Sequence, residues 1–156
     1  NRLGVWAALR TAESLKNGVI CFSCWEETGG GSVGYLAKFI YEKWGVQQAL
    51  ISDITWITKG VKAGYGAAIS QRDSGIPRRS YIKKIMKIAD KSHIPYQLEV
   101  EDAGGSDGNQ LQKSDFPFDW CFIGAAEQNV HSPIEKVHKF DIVSMLNLYA
   151  VLMKKL

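Results

Sequence analysis

Two adjacent carboxylates, Glu26 and Glu27, stand between an apolar run that ends at Trp25 and the glycines Gly29, Gly30 and Gly31. The run from Gly18 to Trp25 is short and rich in strand formers, which predicts a strand buried on both faces with the acids at its end. Adjacent carboxylates repel and lose hydration together, so the pair needs a cation nearby unless it is a solvated turn, the plain alternative for two acids in sequence. Neighbouring residues leaving a strand point in different directions. One Glu can therefore ligate a metal while the other serves as a general base toward an attacking water.

Further polar residues interrupt or follow apolar runs in the same manner: Asp53 in the next strand, Ser106 and Asp107 in a glycine-rich turn, and His131 in an irregular stretch before Ser132-Pro133. Two Glu, an Asp and a His converging on one edge of a sheet would make a nitrogen and oxygen donor set suited to zinc or cobalt. His93 and His138 have no acids clustered around them and read as structural or exposed.

The elements that must position these residues follow from periodicity. A helix is predicted over about Arg2 to Lys16 with Val5, Ala8, Leu9, Ala12 and Leu15 inward, and a second has Val33, Leu36, Ala37, Ile40 and Trp44 inward and stops at Gly45. A strand from Gln48 to about Ile54, a loop from Thr58 to Gly66 and a short strand over Ala67 to Ser70 come next. Pro77 introduces a helix from about Arg78 to Lys91 buried through Tyr81, Ile82, Ile85 and Ala89. Tyr96 to Val100 and Asp119 to Ile123 read as strands, and Gly124 to Pro133 as irregular. The closing helix carries a stripe of Ile142, Met145, Leu146, Tyr149, Leu152 and Met153, with Asp141 in its first turn. Strands alternating with helices predict an α/β fold: a layered α/β/α arrangement with a mixed, largely parallel central sheet, whose ligands bind outside the carboxyl ends of the strands.

Composition sets the outer limits. The chain has 156 residues, 46% hydrophobic and 22% charged, which suits one α/β domain over residues 1–156. A net charge of +3, spread evenly, gives no footprint for nucleic acid, and no apolar run approaches the roughly 20 residues of a membrane helix. Three cysteines form no disulfide framework and point to a reducing, cytoplasmic setting. Cys21 and Cys24 have C-x-x-C spacing, the basis of a rival thiol-redox reading, but they fall inside the predicted strand, where free Cys is usually core.

In order along the chain, Asn1-Arg2-x-Gly4, Glu26-Glu27, Asp53, Gly104-Gly105-Ser106-Asp107, and His131-Ser132-Pro133 with Glu135 resemble the C-terminal part of the catalytic domain of the dinuclear zinc aminopeptidases that form tetrahedral particles, a family that includes deblocking and glutamyl aminopeptidases. The resemblance implies a metal-dependent aminopeptidase with two divalent ions, zinc or cobalt. Glu26 would be the general base, Glu27 and His131 ligands to one ion and Asp53 to the other, with Ser106 and Asp107 on the substrate side. It further implies peptide substrates and a homo-oligomer.

Departures are visible as well. Gln128-Asn129-Val130 stands where the family usually has an Arg-Tyr pair, and the loop Thr28 to Ser32 differs from its common form. The family's upstream His-x-Asp motif, its bridging Asp, matched to the position just before Asn1, and its inserted β-barrel domain lie outside this sequence. The expectation is a C-terminal segment of a larger enzyme that is inactive alone, with a catalytically dead scaffold of the same fold as the alternative.

Overall fold

A mixed five-stranded sheet in the order β1-β4-β2-β3, with β5 paired on β4, forms the middle layer of the computed structural model, which describes residues 1–156. The strands are β1 (Gln48–Trp56), β2 (Ala67–Arg72), β3 (Tyr96–Val100), β4 (Asp119–Gln128) and β5 (Lys136–Val137). The helices are α1 (Arg2–Ala12), α2 (Val33–Trp44), α3 (Arg79–Lys91), α4 (Asp107–Gln112) and α5 (Lys139–Lys155). β1 runs parallel to β4, and β2 to β3, while β2 and β4 are antiparallel. The outer side of β1 has no strand partner.

Two cores place the layers. On one face Ile69, Cys121, Ile123 and Ala125 of the sheet pack with Ala7 of α1, Tyr81, Ile85 and Ala89 of α3, and Met145, Leu148 and Leu152 of α5. On the other, Val33 and Ala37 of α2 and Leu111 of α4 close over Trp120 and Phe122. This is the expected α/β/α layering. The remainder of that second face is left open.

α1 turns out to bury a different stripe from the expected one. Gly4, Ala7 and Thr11 face inward, whereas Val5 and Leu9 are exposed, and the helix stops at Ala12 rather than Lys16. Small residues win the inner face because the helix lies almost against β1: a Cβ on Gly4 would stand 2.3 Å from the Ser52 carbonyl oxygen. Asn1 caps α1 by accepting from the Gly4 amide at 2.7 Å, and its Nδ2 donates to Ser52 O at 2.8 Å. Trp44, expected inside, is half exposed at the end of α2.

The predicted strand over Gly18 to Trp25 does not form. A strand is made by its ladder, and residues 18–24 make no backbone-to-backbone hydrogen bond. The segment is irregular and largely exposed, Phe22 included. Glu26 and Glu27 consequently sit in a short 3₁₀ turn, Glu26–Thr28, entered through Trp25 in the left-handed region. Other corrections lengthen the sheet: β1 continues three residues past Asp53, placing that acid inside the strand, and β4 runs to Gln128 through the stretch expected to be irregular. Its small residues are held in strand geometry by pairing, Gly124 with Asp53 and Ala126 with Thr55. α4 was not expected at all.

Candidate active-site groove

Asp53 and Thr55 of β1, Phe122 of β4 and Glu99 of β3 line one groove over the open part of the sheet. Glu26 and Glu27 reach it from the 3₁₀ turn, Val130 and His131 from the loop after β4, and Gly104 and Gly105 from the turn after β3. The groove has a volume of about 590 Å³. Because β2 and β3 run opposite to β1 and β4, acids at their ends enter from the far side, and the site spreads across a sheet face rather than along one edge. Gly124 of β4 is needed where β4 passes Asp53, since a Cβ there would stand 2.9 Å from the Phe122 ring and 2.8 Å from Asp53 O.

Glu26, Glu27, Asp53 and His131 are brought together here. Glu27 Oε2 lies 3.0 Å from His131 Nε2, and Glu27 Oε1 lies 3.7 Å from the amino terminus of Asn1. His131 adopts positive φ, an uncommon backbone state for a residue with a side chain, and its amide donates to Glu135 Oε1 at 3.1 Å. Glu135 in turn holds Arg2 of α1 at 2.6 Å, which keeps its carboxyl below the usual range. The His131 loop and the start of α1 are thereby clamped together at the mouth of the groove.

Electrostatics in the groove are one-sided. Desolvation pushes Asp53 up to about 7, against the Ile54 amide that donates to it at 2.8 Å, and Glu26 and Glu27 add to the rise. Glu26 is also raised, by desolvation first and then by Glu27 and Asp107. Glu99 goes up to about 7 through desolvation, with Glu101, Asp73 and Asp53 contributing, and Glu127 is raised by desolvation and then by Glu135. Such a concentration of raised acids in a cleft marks a candidate functional site.

No three His, Cys, Asp or Glu side chains converge closely enough here to hold a metal ion by themselves. Ser106 and Asp107 lie just behind the groove wall. Buried Ser106 donates to Asp73 Oδ2 at 2.6 Å and caps α4 through the Gly108 amide, while Asp107 accepts from Ser23. The two thiols of the rival reading, Cys21 and Cys24, are free and exposed; partial desolvation raises Cys21, the opposite of what an active thiol needs.

Sequence reasoning did not single out Glu99 and Glu101, which line the groove. At the end of β3 the acids are the buried residues: Glu99 is 3% exposed and Glu101, just past the strand, 9%, whereas Leu98 and Val100 are at 38% and 63%. Two acids at a spacing of two, following Gln97, were the available signal.

The family model described as M42 glutamyl aminopeptidase matches residues 1–148. A protein of Acetivibrio thermocellus named as an aminopeptidase is 33% identical over 89 residues, covering 56% of this chain and 27% of its own. Among solved structures, the TET1 peptidase of Pyrococcus horikoshii, described as assembling into a tetrahedron or a large octahedral shell, superposes over 100% of this chain and 48% of its own with a TM-score of 0.81 and 27% identity. An aminopeptidase of the archaeon Desulfurococcus kamchatkensis, 24% identical, shares the fold with a TM-score of 0.85 over 100% of this chain and 47% of its own. The chain thus spans about half the length of these solved relatives.

Proposed function

From the premise that the chain belongs to the M42 glutamyl aminopeptidase family, we propose that it carries the C-terminal share of the active site of a metal-dependent aminopeptidase that removes N-terminal residues from peptides. The observation that carries this reading is the meeting of Glu26, Glu27, Asp53 and His131 in one acid-rich groove. Glu27 and His131 would hold one divalent ion and Asp53 the other, zinc or cobalt, with the remaining donors supplied from outside residues 1–156. The ions, when bound, would polarise the scissile carbonyl and acidify the attacking water.

This chain's own residues do the rest of the work. Glu26, raised by desolvation and by its acidic neighbours, is suited to take the proton from the water and deliver it to the leaving amine. Asn1 and Gly4 seat α1 against β1 one residue before Asp53, so whatever precedes Asn1 is delivered to the same corner as Glu27. Ser106 and Asp107 support the substrate side by tying the Gly104-Gly105 turn to Asp73 and Ser23. With three free cysteines we place the protein in the cytoplasm, and by likeness to the TET1 peptidase we assign it a homo-oligomer. No helix is long and apolar enough to cross a membrane.

The test uses the full-length polypeptide. It should hydrolyse peptides from the amino terminus and lose activity to a chelator, with recovery on adding zinc or cobalt. Turnover that survives complete metal removal would refute the reading.

A further inference from the structure

Residues 18–31 carry Glu26 and Glu27 yet join no strand ladder, and their backbone bonds only to itself: the Thr28 and Gly30 amides donate to Trp25 O, and the Gly29 amide donates to Glu26 O. Trp25, Gly29 and Gly30 all sit at positive φ, and the two glycines add chain freedom, so the turn has little stiffness of its own. Two hydrogen bonds tie this stretch to a helix or strand, and both go to α4. Ser23 donates to Asp107 on the near side of the acids, and Gln110 Nε2 donates to Gly29 O at 3.3 Å on the far side. Gln110 also lies so close over Gly30 that a Cβ there would overlap its side-chain amide, 1.2 Å away.

α4 is itself fixed from behind. Ser106 at its cap donates to Asp73, Leu111 joins Trp120 in the second core, and a Cβ on Gly108 would stand 2.2 Å from the Trp120 ring. Asp107 and Gln110, three apart, share the face of the helix turned to the acids, whereas Gly108 and Leu111, also three apart, share the face turned inward. Glu27 has a further hold in His131 at 3.0 Å, and the Glu26 side chain has none. We propose that Asp107 and Gln110 are positioning residues: α4 grips the Glu26–Thr28 turn from both sides and so fixes Glu26 in the groove. The inference rests on the aminopeptidase reading above for what that position does, which is to keep a proton acceptor in line with the attacking water.

The experiment compares the full-length, zinc-loaded polypeptide with its Gln110→Ala variant by hydrogen exchange over residues 25–31 and by peptide kinetics. Exchange at the Thr28, Gly29 and Gly30 amides should quicken about fivefold or more, and kcat should fall about tenfold or more, while KM, metal content and melting temperature hold. Metal content holds because Glu27 keeps its contact with His131. Ser23→Ala should act in the same direction, and Ser23→Thr, which keeps the hydroxyl, should restore both readouts; this pair serves if Gln110→Ala does not fold. Unchanged exchange in a folded Gln110→Ala protein, or quickened exchange with kcat intact, overturns the inference. A wild type that hydrolyses no peptide overturns the aminopeptidase reading alone, since the exchange comparison needs no substrate and still decides whether α4 holds the turn.

Discussion

Glu26 and Glu27 are neighbours in sequence with different surroundings: Glu27 meets His131 at 3.0 Å, whereas burial and then the acids Glu27 and Asp107 raise Glu26. In the full-length polypeptide Glu26→Gln should retain metal and lower kcat by about 10²-fold or more, while Glu27→Ala should lose metal; metal analysis beside peptide kinetics separates the two. Glu99 sets a second expectation. Its carboxyl rises from 4.5 to about 7 on folding, so the folded state holds a proton that the unfolded chain has released, and stability falls as pH climbs between those values. Thermal unfolding of the metal-free protein should therefore show a melting temperature that declines from about pH 4.5 to 7, with a shallower decline in Glu99→Gln. At this scale Glu26, Glu27, Asp53 and His131 are singled out by their order along the chain and by the resemblance that order carries, and all four line one groove, while their roles belong to the proposal above. Glu99 is not, because an acid at an alternating position of a strand reads as solvent-facing when only local pattern is available.

Among elements, those with complete local signals were legible. α3 has its Pro77 start and its buried stripe, α2 its Gly45 stop with positive φ, and β3 its boundaries. Elements made by tertiary contact were not. The Gly124-Ala125-Ala126 stretch has weak strand preference and becomes β4 only through its partner strand, and the Gly18 to Trp25 stretch has strong preference but no partner in the chain. α1 misled in another way, because its inner face is chosen by closeness rather than hydrophobicity. Gly4→Ala should consequently cost about 1–3 kcal/mol, read by denaturant unfolding, since the added methyl meets Ser52 O and both side-chain ends of Asn1. The same change should loosen the Arg2 to Glu135 contact that holds the His131 loop. α5 shows the converse: Asp141, placed by sequence as a helix-start acid, is fully buried and accepts from the Gly64 and Gly66 amides at 2.7 Å, fastening the loop before β2.

For the whole molecule, the donor count decides what the 156 residues can do by themselves. Zinc sites take three or more protein ligands, and no three suitable side chains converge here. The isolated chain should bind fewer than one tight zinc ion and hydrolyse no peptide; two tight ions per chain would contradict this. A last consequence lies in the nine-residue β1, whose outer side pairs with no strand. An edge with no strand partner presents amide and carbonyl groups that an extended segment can join wherever α1 does not already cover them. Near it Val5 and Leu9 of α1 are exposed, and the strand-forming Gly18 to Trp25 stretch lacks a ladder of its own. Expressed alone, the chain should therefore stick to itself, losing monomer with rising concentration in light scattering. Lysine at Gln48 or Gln47, near the start of that edge, should slow the loss without touching the groove.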